Sequence, residues 1–116
     1  MPRRYVPDRG DIVWLEFTRQ SGREQAGHRP ALVISPKAYN GKVGLALFCP
    51  ITSQVKGYPF EVVLPSGGKA TGAILSDQIK SLDWRTRNAQ RLGRAPQETM
   101  ASVLAKIHTL VADDAL

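Results

Sequence analysis

The segment DIVWLEF, residues 11–17, alternates apolar and polar side chains in the way that is typical of a half-buried β-strand. Ile12 and Trp14 fit this pattern only if the strand is covered on both faces. Further short apolar runs follow at residues 31–35, 43–48, 60–64, 73–75 and 90–92, and Gly or Pro stands at almost every boundary between them. Short strands at this spacing predict a mostly antiparallel β-barrel.

The C-terminal segment has a helical period instead. Pro96 is suited to the first turn of a helix, and apolar side chains then recur at the spacing of one helical face. These side chains are Met100, Val103, Leu104, Ile107, Leu110 and Val111. We therefore expect a single domain over residues 1–116, mostly β, with an amphipathic C-terminal helix laid against the sheet.

Composition excludes several classes of protein. No apolar run approaches the roughly 18 residues of a membrane-spanning helix, and the basic N-terminus has no apolar segment behind it, so we expect neither a membrane anchor nor a secretory signal. Cys49 is the single cysteine, which excludes an intramolecular disulfide. His28 and His108 belong to no spaced Cys/His set, and no Gly-rich phosphate loop precedes a helix. The sequence therefore predicts a cytoplasmic protein without a metal site or cofactor.

The charge balance points to a polyanionic partner. The 116 residues carry 16 Lys and Arg against 10 Asp and Glu, a formal net charge of +6. Between residues 80 and 94 there are five basic residues against one acid, and a second basic group lies at residues 19–29. Neither group is a low-complexity tail, so we expect the cations on a folded surface, with nucleic acid as the first candidate partner.

Polar side chains with catalytic potential stand at three predicted strand ends. Residues 24–30, EQAGHRP, combine an acid, an imidazole and a guanidinium at the end of a polar loop. Thr52, Ser53 and Gln54 follow a second strand, and Asp77, Gln78 and Lys80 follow a third. Loops are polar in any protein, so each set alone also has a purely structural interpretation.

Several blocks together resemble the MazF/PemK/Kid toxins, the ribosome-independent mRNA interferases of type II toxin–antitoxin systems, and most closely the MazF branch. The blocks are RYVPDRGDIVW at 4–14, EQAGHRPA at 24–31, PITSQ at 50–54, KGYPFEVVL at 56–64 and LSDQIKSLDWR at 75–85. They occur in the order and at the spacing of that family, from residue 5 to about residue 94. The C-terminal helix fits only by its pattern.

This resemblance implies an SH3-like barrel with appended helices, a homodimer, and sequence-specific endoribonuclease activity on single-stranded RNA. It implies that Arg29 and Thr52 are the catalytic pair. The implied reaction needs no metal: the RNA 2′-hydroxyl attacks the adjacent phosphorus, leaving a 2′,3′-cyclic phosphate and a 5′-hydroxyl.

The general base is left open by the residues. A guanidinium stays protonated, so Arg29 is better suited to stabilising charge than to accepting a proton. His28 and Glu24 are the candidates for proton transfer, although neighbouring residues on a strand point to opposite faces, which favours a structural role for His28. The predicted RNA-binding residues are Gln25, Ser53, Gln54, Lys56, Gln78, Lys80, Arg85 and Arg87.

The resemblance also implies partners. An acidic, MazE-like antitoxin would cover the basic RNA groove with a flexible segment, and operator DNA would be bound only by the toxin–antitoxin complex. Two other functions stay open from the sequence: a non-enzymatic toxin that binds DNA gyrase, and a plain RNA-binding barrel. The presence of both Arg29 and Thr52 in their motifs favours the nuclease.

Overall fold

The structure, a computed structural model, describes residues 5–18 and 27–112. Within them the chain forms seven strands and two helices. The strands are β1 (Asp11–Thr18), β2 (Gly27–Val33), β3 (Leu45–Thr52), β4 (Glu61–Val63), β5 (Ala73–Leu75), β6 (Lys80–Asp83) and β7 (Gln90–Arg94), and the helices are α1 (Lys37–Val43) and α2 (Gln97–Val111).

All strand pairs are antiparallel, in the order β4-β5-β3-β2-β1-β7, with β6 also paired to β3. Strand β3 joins the two parts of the sheet, because its first half pairs with β6 and its last two residues pair with β5. The prediction of a mostly antiparallel β fold with a C-terminal helix is confirmed. The hydrogen-bonded order among the described residues runs from β4 to β7 without pairing these two strands to each other.

Strand β1 packs into a core on each of its faces, whereas the alternation of its sequence predicts a half-buried strand. Ile12 packs into a core that also contains α2, which we call the helix-side core; its buried members include Ile12, Leu32, Cys49, Ile51, Met100 and Val103. Val13 and Leu15 pack into the opposite core, which we call the cleft-side core, with Ala31, Val33, Ala46, Phe48 and Trp84. Trp14 remains 39% exposed. The two cores explain the continuous apolar runs at residues 12–15 of β1 and 31–33 of β2.

Helix α2 confirms the predicted periodicity for its first half. Pro96 is the N-cap residue, and Met100 and Val103 are buried in the helix-side core. The prediction is wrong for the last turn, where Leu110 and Val111 are exposed, because the helix extends beyond the sheet surface that covers its earlier turns. No helix in the described part of the chain is long and apolar enough to cross a membrane.

Helix α1 is missing from the sequence prediction, which placed Val43 in a strand. The helix ends at Val43, and Gly44 follows it with a φ of 85°, a left-handed conformation that glycine adopts without strain. Buried Asn40 fixes the helix to its surroundings: its side-chain amide donates to the carbonyls of Pro7 and Ser35, at 2.8 and 2.9 Å. Seven residues are too few for a recognisable period, so this helix depends on tertiary hydrogen bonds.

Two strand boundaries also differ from the prediction. Strand β6 was read only as part of a cationic surface stretch, because its exposed KSLD sequence has no apolar run. Strand β2 begins at Gly27, so His28 and Arg29 lie within a strand and not at the end of a loop.

Cys49 is fully buried in β3, with its Sγ 3.9 Å from the carbonyl oxygen of Ser76. Burial raises the pKa of the thiol to about 12, with a smaller contribution from the charge of Asp77.

Candidate active site

Arg29 and Thr52 lie on the same face of neighbouring strands. In β2 and β3, Ala31 pairs with Pro50 and Val33 with Phe48, and the side chains of Ala31, Val33 and Phe48 belong to the cleft-side core. Because side chains alternate along a strand, Arg29 shares the face of Ala31, and Thr52 shares the face of Phe48. The same register, continued past the last pair, sets Arg29 against Thr52.

Two prolines explain why the strands separate at this point. The β2–β3 pairing ends at Ala31 and Pro50, and Pro30 precedes that pair. A proline has no N–H to donate to the ladder, so neither Pro30 nor Pro50 can extend the hydrogen bonding toward the site. The sheet therefore opens beside Arg29 and Thr52.

The opening is a cleft of about 630 Å³, which we call the polar cleft. Its lining residues are Arg29, Pro30, Ile51, Thr52, Ser53, Gln54, Lys69, Ala70 and Thr71. A volume of this size is in the range of small-ligand sites. Among the described residues the lining carries two cations, several hydroxyl and amide groups and no carboxylate, so the polar cleft is suited to an anion.

The hydroxyl of Thr52 is oriented by its own loop. Its Oγ1 accepts a hydrogen bond from the backbone N–H of Gln54 at 3.1 Å. A hydroxyl that accepts in this way keeps its proton available for donation to another group. The Arg29 side chain is exposed and has no hydrogen bond or ion pair to any residue in 5–18 or 27–112. Both groups are therefore free to bind an oxyanion between them.

Other predicted RNA-binding residues adjoin the polar cleft. Gln78 and Lys80 line a smaller cavity of about 160 Å³ that includes Arg29, Thr52 and Phe17. The Nζ of Lys80 lies 5.3 Å from the centre of the Phe17 ring, a cation–π contact.

Lys56 belongs to a third cavity beside the polar cleft, which it shares with Thr52, Gln54 and Gln78. The loop that carries Lys56 is held by Glu61, whose carboxylate accepts the backbone N–H groups of Lys56 and Gly57 at 3.1 and 2.8 Å. Glu61 therefore positions this loop.

The structure places two predicted RNA-binding arginines away from the polar cleft. Arg85 lies over the ring of Trp84, 4.9 Å from its centre, and lines a separate cavity. Arg87 donates to the backbone carbonyls of Glu16 and Phe17, at 3.1 and 2.7 Å. The guanidinium of Arg87 therefore ties the β6–β7 turn to β1.

The rest of the cationic stretch is also engaged within the protein. Arg94 and Arg91 pair with the buried carboxylate of Asp11, at 2.9 and 3.5 Å. Of the cations in these two predicted basic stretches, Lys80 and Arg29 are the described ones that line the cavities around Thr52.

Of the two candidates for proton transfer, the structure describes only His28. His28 lies on the opposite face of β2 from Arg29, where its ring stacks on Trp14 with a centroid separation of 5.9 Å and an interplanar angle of 10°. Glu24 and the predicted RNA-binding residue Gln25 lie outside the described residues. No group of three His, Cys, Asp or Glu side chains within the described ranges is arranged to hold a metal ion.

Residues 69–72 are the part of the site that sequence reasoning missed. Lys69 and Thr71 line the polar cleft with Arg29, although no sequence motif indicates a role for the β4–β5 loop. The close approach of Gly72 to Thr52 brings them there: a Cβ on Gly72 would lie 1.9 Å from the Thr52 carbonyl oxygen. No local sequence signal predicts this, because it depends on β5 pairing with β3.

The chain belongs to a toxin family. Residues 8–111 match the family described as the PemK-like, MazF-like toxin of type II toxin–antitoxin systems. This match confirms the family that the sequence blocks indicate.

Individual relatives agree with the family match. The chain is 51% identical over 111 residues to the endoribonuclease toxin MazF of Escherichia coli K12, covering 96% of this chain and 99% of that protein. It is 37% identical to the endoribonuclease toxin ChpB of the same strain, covering 90% and 93%. A crystal structure of MazE–MazF from Deinococcus radiodurans superposes with a TM-score of 0.89 at 53% identity, covering 95% of this chain and 99% of that chain.

Proposed function

We propose that this protein is an endoribonuclease toxin that cleaves single-stranded RNA, chiefly mRNA, at a short sequence and without the ribosome. The observation that carries the proposal is the common cleft of Arg29 and Thr52, which presents an exposed guanidinium and an oriented hydroxyl and, within the described part of the chain, no carboxylate. The relatives at 51% and 37% identity are both named endoribonuclease toxins, which supports the same function.

The reaction is transesterification within the RNA chain. The 2′-hydroxyl oxygen forms a bond to the adjacent phosphorus and loses its proton, while the bond from phosphorus to the 5′-oxygen breaks and that oxygen gains a proton. The products are a 2′,3′-cyclic phosphate and a 5′-hydroxyl. The requirement on the protein is to stabilise the charge on the phosphoryl oxygens and to manage these two protons.

Arg29 binds the phosphate and stabilises its developing charge, because a guanidinium presents paired N–H donors to an oxyanion. A guanidinium stays protonated and is not a base at neutral pH, so Arg29 acts as an electrostatic group and as a hydrogen-bond donor to the leaving oxygen, whose proton comes from water. Thr52 donates a further hydrogen bond to the same phosphate.

For the proton of the 2′-hydroxyl, Glu24 is the proposed acceptor. The stacking of His28 on Trp14, on the far face of β2, argues against His28. Base selection is assigned to groups that adjoin the scissile position: Ser53, Gln54, Lys56, Gln78 and Lys80. Amides and ammonium groups there can read the edges of splayed bases.

The partners follow from the family. We propose that the protein is a cytoplasmic, single-domain homodimer that is neutralised by an acidic, MazE-like antitoxin, and that it binds operator DNA only within that complex. The structures titled MazE–MazF from Deinococcus radiodurans support the antitoxin. The net charge of +6 and the two cations that line the polar cleft, Arg29 and Lys69, favour an acidic masking segment.

One incubation tests the proposal against the two other functions. Purified protein is mixed with a long single-stranded RNA in EDTA, and fragment ends are mapped. Defined fragments that end in a cyclic phosphate are expected. Intact RNA that is retarded on a gel would indicate a plain RNA-binding protein, and intact RNA with inhibited supercoiling by gyrase would indicate the gyrase-binding toxin.

A second substrate tests the nucleophile. The same RNA with a single 2′-deoxy nucleotide at the mapped site should bind and stay uncut, because the attacking hydroxyl is missing. Cleavage of this substrate at the same position would exclude the 2′-hydroxyl as nucleophile.

A further inference from the structure

We propose that Lys69 binds a phosphate of the RNA beside the scissile one, on the opposite side of Thr52 from Arg29. The inference rests on the proposed function, since it assigns a substrate-positioning residue for that same reaction. Lys69 lies in none of the sequence blocks that indicate the family, so it is a feature of this chain that the motifs do not supply.

The place of Lys69 follows from the order of the strands. Strand β3, which carries Thr52, lies between β2 and β5. Arg29 is on the β2 side, and the β4–β5 loop that carries Lys69 is on the other. The two cations therefore flank Thr52 across the polar cleft, whose lining includes all three residues.

The loop around Lys69 is anchored at both of its ends. Ala70, the next residue, is buried in the helix-side core. Gly72 lies directly against the Thr52 carbonyl, and its own carbonyl accepts the N–H of Leu64 at 2.8 Å. Ala73 then pairs with Thr52 in the β3–β5 ladder. The backbone of Lys69 is thus held at a defined position relative to Thr52.

The charge of Lys69 is unused within the protein. Its side chain is exposed and makes no hydrogen bond or ion pair with any residue in the described ranges. Glu61 and Asp77, the described acidic residues that line the cavities around Thr52, lie in the third cavity, whereas Lys69 lines the polar cleft. An RNA strand that places one phosphate on Arg29 and Thr52 carries its next phosphate past this ammonium group.

A contact of this kind has a defined signature. Each phosphate contact to a single strand contributes about 0.7 to the slope of log K against log salt, because bound counterions are released. Removing the contact should lower this slope by about 0.7. The loss of RNA affinity caused by the substitution should therefore be about fivefold larger at 0.1 M salt than at 1 M salt. The flanking phosphate is bound equally in the ground and transition states, so kcat/KM should fall while the rate at saturating RNA stays constant.

The experiment uses the full-length protein and an RNA oligonucleotide that contains a mapped cleavage site with a single 2′-deoxy nucleotide, which keeps it intact. Its Kd is measured by fluorescence anisotropy between 0.1 and 1 M salt for the native protein, Lys69→Ala and Lys42→Ala. Lys42 is an exposed lysine in the last turn of α1, outside the cavities that surround Thr52, so its removal is the matched loss of one charge. Lys69→Arg should restore the native slope.

Each outcome has a separate meaning. A slope reduced in Lys69→Ala and unchanged in Lys42→Ala establishes the contact. Equal slopes for the native protein and Lys69→Ala, with RNA still cleaved, overturn the role of Lys69 and leave the proposed function standing. Equal weakening of RNA binding by Lys69→Ala and Lys42→Ala would mean that Lys69 acts only through the net charge of the protein, and would overturn its assignment as a phosphate-binding residue. A native protein that neither binds nor cuts RNA overturns both proposals.

Discussion

The close contact of Gly72 with the backbone of Thr52 supports both the fold and the active site. A Cβ added here would lie 1.9 Å from the Thr52 carbonyl oxygen and 2.8 Å from its carbonyl carbon, both backbone atoms. These atoms would have to separate by about an ångström to reach even 3.0 Å, a distance that real Cβ contacts essentially never undercut. Gly72→Ala must therefore displace either β5 or the backbone of Thr52.

Two energies combine in this substitution. Gly72 has a φ of 111°, which an L side chain adopts at a cost of about 1–2 kcal/mol. Relief of the backbone clash adds about 1–3 kcal/mol, the usual cost of overpacking. We expect Gly72→Ala to lower the free energy of unfolding by about 2–5 kcal/mol. A shift of about 1 Å at Thr52 should slow RNA cleavage by about 100-fold in the protein that remains folded.

Gly67→Ala is the matched control. Gly67 lies in the same loop with a φ of 95°, yet a Cβ there meets no atom within 4 Å. It should show only the conformational cost, about 1–2 kcal/mol, with native cleavage. Urea denaturation gives the two free energies of unfolding, and single-turnover cleavage under native conditions gives the two rates.

The comparison can refute the reasoning in two ways. Equal destabilisation by both substitutions would mean that the approach of Gly72 to Thr52 is not tight in solution. Native cleavage by folded Gly72→Ala would mean that the position of the Thr52 backbone does not control the reaction.

Three further predictions concern the buried acid, the buried thiol and the proposed base. Asp11→Asn should lower the free energy of unfolding by about 2 kcal/mol in urea denaturation, because Asp11 accepts hydrogen bonds from Tyr5 and Arg94, at 2.6 and 2.9 Å; native stability would contradict this. The pKa of Cys49 is raised to about 12, so the thiol ionises first in the unfolded chain, and stability should fall by about 1 kcal/mol between pH 8 and 9.5. Cys49→Ala should lose less over that interval; an equal loss would exclude the thiol as the cause. Glu24→Gln should keep RNA affinity and lower the single-turnover rate by about 100-fold or more, and a native rate would remove Glu24 as the base.

Sequence reasoning predicted the parts of the fold that have a clear period. The strand at residues 11–17 and the start of α2 follow from alternation and from helical spacing, and the structure confirms both. The burial of both faces of β1 differs from the half-buried strand that alternation predicts. Helix α1 and strand β6 have no such period. The first depends on hydrogen bonds of Asn40 to distant backbone, and the second on pairing with β3. Such long-range dependence leaves no local trace in the sequence.

The active site also combines features that follow from local sequence patterns with features that depend on long-range contacts. Alternation within β2 and β3 is sufficient to place Arg29 and Thr52 on one face and His28 on the other. The positions of Arg85 and Arg87 could not be predicted, since a charge count does not distinguish a free cation from one bound to Trp84 or to backbone carbonyls. Lys69 enters the cleft only through the contact of Gly72 with β3.

The central claim is that Arg29 and Thr52 act together on one phosphate, and a double-mutant cycle on the cleavage rate tests it most directly. Single-turnover rates at saturating RNA are measured for Arg29→Ala, Thr52→Ala, the double variant and the Lys42→Ala control, each shown to be folded. We expect losses of about 1,000-fold and 100-fold for the single variants, with the double variant close to the slower one, because the two groups stabilise the same charge. A native rate in either folded single variant, or losses that simply multiply in the double variant, would contradict the account.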